Sequence, residues 1–510
     1  MTVPRALAAP ILRRKGLERG APFPRGAVHR RVAMVYPSPY RAGMSSLGFQ
    51  WIATVLAERG FQVERVFLPE DVEAWRKARA CPVSEETLTP LSEFPLLCVS
   101  LAYELELVGL IELLRLAGIP PLRRDRAALR KGHAGHPRVL LGGPLTFSNP
   151  LPAAPFVDGM ILGEADDVVG DAVDAFFEDG DLGALARLPG GYLPDVHGES
   201  LPPVARADDA LLPARSRIWS PEAELHDMFL IEGERGCHRG CTFCVMRRDP
   251  KPDPVTGSKT SGGMRLVTPE RLLELVPADA PRVGLVGAAI SDHPQLVGLL
   301  EALLDAKKGI GISSLRGDRV ALKPEIPRLL RLGGYNTLTV ASDAASQRLR
   351  RTLSKGTTEA QLLACAEAAR LNDYRLLKVY MMLGVPDEQD EDIEELVAFT
   401  RRLAAIHPVA LGIAPFVPKR NTPLDGATFA GIAVVERRLD RVRAGLKGVR
   451  AEVRPTSARW AWVEHQLAQA GWEGGEACLR ATEAGGAFSA WKREFGPEGH
   501  PAPWRVEATG

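Results

Sequence analysis

The stretch Glu234-Arg-Gly-Cys237-His-Arg-Gly-Cys241-Thr-Phe-Cys244-Val245 decides how the rest of the chain is read. Its cysteines have the spacing C-x3-C-x2-C, with glycines at 236 and 240 and Phe243 directly before the third cysteine. Three thiolates on one short loop hold three irons of a cubane 4Fe-4S cluster and leave the fourth iron without a protein ligand. That open iron is where chemistry can happen. The alternative is structural zinc, which takes four closed ligands, often from two separated pairs. Here the nearby fourth candidate is His238, pressed against Cys237, and neither Cys365 nor Cys478 has a partner at zinc-knuckle spacing. The spacing favours the cluster.

The remaining composition fits an enzyme of more than one domain. A chain of 510 residues with 45% hydrophobic content exceeds what one core usually supports, so two or three domains are expected. With 64 basic against 63 acidic side chains, no whole-molecule field gathers nucleic acid or a membrane surface, and neither is indicated as a partner. Seven cysteines, three of them already assigned, do not make a disulfide framework, and an exposed cluster needs a reducing compartment, which points to the cytoplasm. The apolar run at residues 7–12 is broken by Pro10 and followed by Arg13, Arg14 and Lys15, unlike a secretory signal. The longest apolar stretch, Val283 to Leu304, is interrupted by Asp292, His293 and Pro294, so no membrane span is expected.

Residues 1–28 are rich in Arg, Pro and Gly and read as a mobile extension. Over 29–180, apolar runs at 31–36, 61–67, 95–100 and 138–143 alternate with helical patterns at 47–59 and 104–117. This predicts a Rossmann-like, doubly wound parallel sheet, with ligands beyond the strand C-termini. Gly142-Gly143 and Gly163 fall on such strand-end loops, where plain turn chemistry is the favoured explanation from periodicity alone. Residues 181–222, rich in Gly, Pro, Ala and Asp, read as a linker. From 223 to 420 the runs at 227–232, 282–287, 309–315, 337–341, 376–383 and 409–414 alternate with helical stretches. Six strand-helix units with strands buried on both faces predict a partial (β/α)6 TIM-type barrel with its active site at the strand C-terminal ends. Residues 421–510 read as a helical C-terminal region whose aromatics belong to its core.

The cysteine loop with its aromatic residue resembles that of radical S-adenosylmethionine (SAM) enzymes. The resemblance implies that the free iron chelates the amino and carboxylate groups of SAM and that an electron from the cluster cleaves the sulfonium to a 5′-deoxyadenosyl radical. Tyr36-Pro-Ser-Pro-Tyr-Arg-Ala-Gly43, Val63-Glu-Arg-Val-Phe67, Pro95-Leu-Leu-Cys-Val-Ser100, Gly142-Gly-Pro144 and Gly163-Glu164 look like the N-terminal half of a functionally unassigned group with a cobalamin-binding-like domain. The resemblance implies a fold able to hold a corrinoid. Many corrinoid proteins supply a histidine through D-x-H-x-x-G after the first strand, and Pro37–Gly43 has none.

Site residues follow from the same resemblance. Phe243 and the Gly384 turn are implied to meet adenine, and the Gly287 turn the SAM amino group. Ser314 and Arg316 are similar to the serine and arginine that face ribose and carboxylate, while a salt bridge is the plainer role for Arg316. Asp343 stands where relatives carry a longer glutamate. The implied activity is reductive SAM cleavage with an electron donor such as flavodoxin or ferredoxin, followed, if cobalamin is bound, by methylation of an unknown substrate. Other readings are a cobalamin-independent radical enzyme acting on RNA or protein, methylthiotransferase-like, and a non-catalytic iron-sulfur sensor or scaffold. No motif reads substrate chemistry.

Overall fold

The computed structural model describes residues 3–130, 135–177, 182–247 and 263–496. It divides into two compact units, one built from residues up to Asp227 together with those from Gln466 on, the other from Met228 to His465.

The first unit is organised by a six-stranded sheet. Its strands are β1 (Ala27–Tyr36), β2 (Phe61–Phe67), β3 (Leu96–Ser100), β4 (Arg138–Gly142), β5 (Gly159–Ile161) and β6 (Gly191–Tyr192). They lie in the order β2-β1-β3-β4-β5-β6, parallel except for β6. Val32 to Tyr36 and all of β3 are buried, as expected of apolar strands covered on both faces. The helix Leu47–Glu58 lays Phe49, Trp51, Ala53 and Leu56 onto the sheet. Phe49 meets Tyr36 edge-on at 5.4 Å between ring centroids, and the indole of Trp51 donates to Asp166 at 2.8 Å. The connection from β1 runs to one side and that from β2 returns to the other, so the strand order reverses between β1 and β3. Ligands of such sheets sit at that crevice.

The termini differ from the sequence expectation. Where residues 1–28 read as mobile, Arg5–Leu17 is a helix that buries Ala8 and Ile11. Glu18 accepts two bonds from the buried Arg65 at 2.8 and 2.9 Å and one from Tyr40 at 2.7 Å, and Arg14 pairs with Glu85. The charges that suggested solvent are tethers to buried partners. The stretch expected as a linker contributes β6 to the sheet edge, and Ile218–Trp219 pairs with Arg19–Gly20, although residues 178–181 lie outside the described residues.

In the second unit, β7 (Met228–Glu232) runs into the antiparallel pair β8 (Glu234–Arg235) and β9 (Arg265–Leu266). Then follow β10 (Arg282–Val286), β11 (Gly309–Ile312), β12 (Leu315–Arg316), β13 (Thr337–Ala341), β14 (Leu376–Leu383), β15 (Val409–Pro415) and β16 (Ala451–Pro455). One parallel sheet has the order β11-β10-β7 and the other β12-β13-β14-β15-β16. Counting β11 and β12 as one run interrupted at Ser313 and Ser314, the parallel strands β7, β10, β11/β12, β13, β14 and β15 make the six strands of the expected partial barrel. Two features depart from expectation. A seventh strand, β16, follows the helix Ile432–Gly445 inside the region read as wholly helical. Strand β14 is not buried on both faces: Leu377, Val379, Met381 and Leu383 are buried, whereas Tyr380 between them is exposed. A closed barrel would fill this second face with side chains. Beside Tyr380 in register stands Gly412, where a Cβ would come within 2.7 Å of its ring.

The remaining C-terminal helices are Ala458–Gln469, Trp472–Glu483 and Phe488–Phe495, and residues 497–510 lie outside the described residues. From Gln466 on they belong to the first unit, where the buried amide of Asn149 donates to the carbonyls of Leu467, Ala468 and Ala470 at 3.2, 3.0 and 2.8 Å.

Candidate active site

The cysteine loop hangs from the C-terminal end of β7. Gly233 donates to the carbonyl of Val286 at 2.9 Å, tying the root of the loop to the end of β10. Gly236 follows β8 at φ +84, a left-handed conformation that glycine adopts without a Cβ penalty. The loop then folds on itself. The Arg239 N–H points at Cys237 Sγ at 3.4 Å, and the Cys244 N–H donates to the Cys241 carbonyl at 3.3 Å. It also docks on the chain after the helix Gln347–Thr352. Thr242 N–H donates to the Leu353 carbonyl at 3.1 Å, and Cys241 Sγ lies 3.8 Å from the carbonyl of Ser354. Cys241 is buried, and Cys237 and Cys244 are half-buried. Burial pushes the Cys237 and Cys244 thiols upward, and each is raised further by the neighbouring cysteines. The three sulfurs are thus electrostatic neighbours.

Among the described residues no three His, Cys, Asp or Glu side chains converge as a set for one metal ion. A cubane puts each thiolate on a different iron, so three cysteines spread along one loop suit it better than a zinc ion. Metal binding requires thiolates, so it releases the protons that burial retains.

A fully buried carboxylate fixes this loop. Asp292, in the turn after β10, receives Nε and Nη2 of Arg239 at 2.8 and 2.7 Å and Nε of Arg319 at 2.5 Å. Arg316 Nε and His238 Nε2 lie 3.9 and 3.7 Å from it. Burial alone would raise its pKa, but the hydrogen bonds and charges of Arg239, Arg319 and Arg316 outweigh it and hold the carboxyl at about 2. A paired fork from Arg239, between the first two cysteines, is a geometric constraint as well as a charge contact.

Two residues singled out in the sequence, Arg316 and Asp343, meet at Lys355. The buried Arg316 donates from Nε to Asp318 at 2.9 Å and from Nη2 to the Lys355 carbonyl at 3.0 Å, so its charge is engaged as in the salt-bridge role. The ammonium of Lys355 pairs with Asp343, which sits at φ +62 beyond the end of β13 and adds to the field on Cys244. Ser314 is exposed at the break between β11 and β12, and Phe243 is half-buried within the loop. Gly287 packs against Glu234: a Cβ there would fall 2.4 Å from Glu234 Oε1, which accepts the Ala289 N–H at 2.5 Å. Gly384 is held separately. At φ +80, it donates its N–H to Glu388 Oε2 at 2.7 Å, and Arg438 binds the same oxygen at 2.6 Å.

Sequence reasoning left Asp292, Arg239, Arg319, Lys355, Glu234, Glu388 and Arg438 without roles. Asp292 stood out only as a charge interrupting an apolar stretch, which is a usable signal because a carboxylate there must find partners when buried. The other six carry no local signal.

Comparison with known proteins agrees with this architecture. The family model for the N-terminal region of radical SAM proteins matches residues 48–194, and the radical SAM superfamily model matches residues 231–400. An uncharacterized protein of Methanocaldococcus jannaschii is 27% identical over 405 residues, covering 78% of this chain and 80% of that protein. A probable dual-specificity RNA methyltransferase, RlmN, of Gemmatimonas aurantiaca is 28% identical over 224 residues, covering 41% of this chain and 60% of that one. An uncharacterized methyltransferase of Pyrococcus horikoshii is 22% identical over 276 residues, 52% of this chain and 58% of that one. The apo structure of the cobalamin-dependent S-adenosylmethionine radical enzyme OxsB superposes with a TM-score of 0.50 at 13% identity; 81% of this chain is covered, spanning 56% of that one. The segment 231–400 that carries the cysteine loop is thus a radical SAM domain, preceded over residues 48–194 by a region of the kind found at the N-terminus of radical SAM proteins.

Proposed function

We propose that this protein is a radical SAM enzyme of the methyl-transfer class that holds a 4Fe-4S cluster on Cys237, Cys241 and Cys244. The observation that carries the reading is the placement of these three neighbouring thiols on one loop at the C-terminal end of a parallel barrel strand. A bound cluster with an open iron supplies an electron for reductive cleavage of SAM to methionine and a 5′-deoxyadenosyl radical. The chain's own part is positional. Asp292 clamps the loop through Arg239, and the Gly233–Val286 bond sets it against the Gly287 turn. With SAM bound, Phe243 and the Gly384 turn would meet adenine, the Gly287 turn the amino group and Ser314 the ribose, while Arg316 and Asp343 meet at Lys355. An external one-electron donor of the flavodoxin or ferredoxin kind completes the reaction.

Methyl transfer is supported by the names of the relatives from Gemmatimonas aurantiaca and Pyrococcus horikoshii. For a corrinoid, the relevant edge is the crevice between β1 and β3. There Ser38 and the Ala102 N–H bind Glu106 at 3.2 and 2.6 Å, and Tyr103 is exposed. The loops after β1 and β3 contain no histidine, so a corrinoid at this edge would take no imidazole from them. Anaerobic incubation of the reduced, cluster-reconstituted protein with SAM, with and without hydroxocobalamin, tests the assignment. Corrinoid that stays with the protein through desalting, together with S-adenosylhomocysteine formed only in its presence, supports cobalamin-dependent methylation. Formation of 5′-deoxyadenosine with no corrinoid retained turns the reading toward a cobalamin-independent radical enzyme.

A further inference from the structure

Strand β14 carries a cation and an aromatic ring on the face that a closed barrel would fill. Side chains alternate along a strand, so Lys378 and Tyr380 stand opposite the buried Leu377, Val379 and Met381. Parallel register sets them beside small residues, Lys378 next to Ala410 and Tyr380 next to Gly412, with Glu452 and Arg454 on the following strand β16. Lys378 donates from Nζ to the Tyr380 hydroxyl at 2.8 Å and lies 4.5 Å from the centre of its ring. Glu452 and Arg454 pair with each other, whereas Lys378 meets no carboxylate among the described residues. Gly412 leaves room for the pair: a Cβ there would fall 2.7 and 2.9 Å from ring carbons of Tyr380 and 3.6 Å from Lys378 Cε.

A half-buried ammonium is expected to find a carboxylate, and this one finds a neutral hydroxyl. A lysine has three N–H donors, of which the hydroxyl takes one. Because the Tyr380 oxygen accepts that bond, its own hydrogen is a further donor directed away from the ammonium. Donors of this number around one positive charge suit an oxyanion, and the exposed ring offers an apolar surface beside them. The pair is also tied to the cluster loop through the backbone. The Tyr380 carbonyl accepts the N–H groups of Ser342 and Asp343 at 2.8 and 3.1 Å, and Asp343 acts electrostatically on Cys244. We infer that Lys378 and Tyr380 bind an oxyanion, a phosphate or a carboxylate, carried by the substrate. This rests on the radical SAM reading and supplies a substrate class for it. No bond is made or broken in the step.

The test is pulse acetylation of lysines on the full-length, cluster-loaded protein, read site by site by mass spectrometry. The probes are phenyl phosphate and benzoate, each an oxyanion on one ring, with benzyl alcohol as the uncharged control and chloride keeping ionic strength equal. Saturable slowing at Lys378 is expected, with the exposed Lys307 reacting at an unchanged rate. Protection by phenyl phosphate points to a phosphorylated substrate and protection by benzoate to a carboxylate, and either supports the inference. Protection by neither, or equal protection by benzyl alcohol, overturns it. In Tyr380→Phe the half-protecting concentration should rise about tenfold through loss of one hydrogen bond to a charged group. An unchanged value overturns the paired site. Cleavage of SAM by wild type is measured alongside. Cleavage without protection removes this inference alone, and protection in a protein that neither binds nor cleaves SAM overturns the enzyme reading and the substrate role with it.

Discussion

At the scale of single residues, the site depends on how buried charges are compensated. Asp292 is surrounded by Arg239, Arg316 and Arg319, and removing it leaves guanidinium groups facing each other with one acid, Asp318, between them. Breaking one partner of a buried ion pair typically costs about 3–5 kcal/mol. Asp292→Ala should therefore lower thermal stability by several degrees and reduce iron loaded per chain, since Arg239 loses its anchor between Cys237 and Cys241. Iron content equal to wild type would show that the loop holds its shape without Asp292. Glu234 carries a prediction for pH. Burial, together with the charges of Glu232 and Asp292 facing it, raises its pKa to about 7, and only the Ala289 N–H opposes this. Between about pH 4.5 and 7 the folded state then binds more protons than the unfolded one, so stability of the cluster-free protein falls as pH rises through that window. The full effect is roughly 3 kcal/mol, and Glu234→Gln should flatten it in melting temperatures measured from pH 5 to 8. The cysteines were legible in the sequence because their spacing is local. The role of Asp292 was not, beyond its interruption of an apolar stretch, because its partners Arg239 and Arg319 lie far along the chain, where pairing depends on topology.

At the scale of elements, periodicity located the strands well. The apolar runs at 31–36, 61–67, 282–287, 337–341 and 376–383 correspond to β1, β2, β10, β13 and β14. It failed where an element owes its place to tertiary partners. The helix Arg5–Leu17 contains Pro10 and four basic residues, so local propensity argues against it; Glu18, Arg14 and their buried partners Arg65 and Glu85 hold it. Strand β16 was hidden because Glu452 and Arg454 alternate along it and pair with each other at 2.6 Å. The C-terminal return is likewise fastened by side chains far along the chain, among them the Asn149 amide bonded to three carbonyls. Asn149→Ala leaves these buried groups without that donor, at about 1–3 kcal/mol. Urea unfolding followed by Trp fluorescence should show an earlier transition for the variant, with Trp472 and Trp491 reporting on this segment. An unchanged transition would mean that packing alone retains it.

At the scale of the whole molecule, the near-balance of charge leaves no global field to recruit a polyanion, and no helix among the described residues is long and apolar enough to cross a membrane. Function is concentrated instead at the cysteine loop, and the account stands or falls on what that loop does to SAM. The most direct measurement is chromatography of products after anaerobic incubation of the reduced, cluster-reconstituted protein with SAM, using Cys237→Ala as the blank. The account predicts 5′-deoxyadenosine and methionine from the wild type and neither above background from the variant. Equal product from both proteins, or an intact wild-type cluster that neither binds nor cleaves SAM, would contradict it.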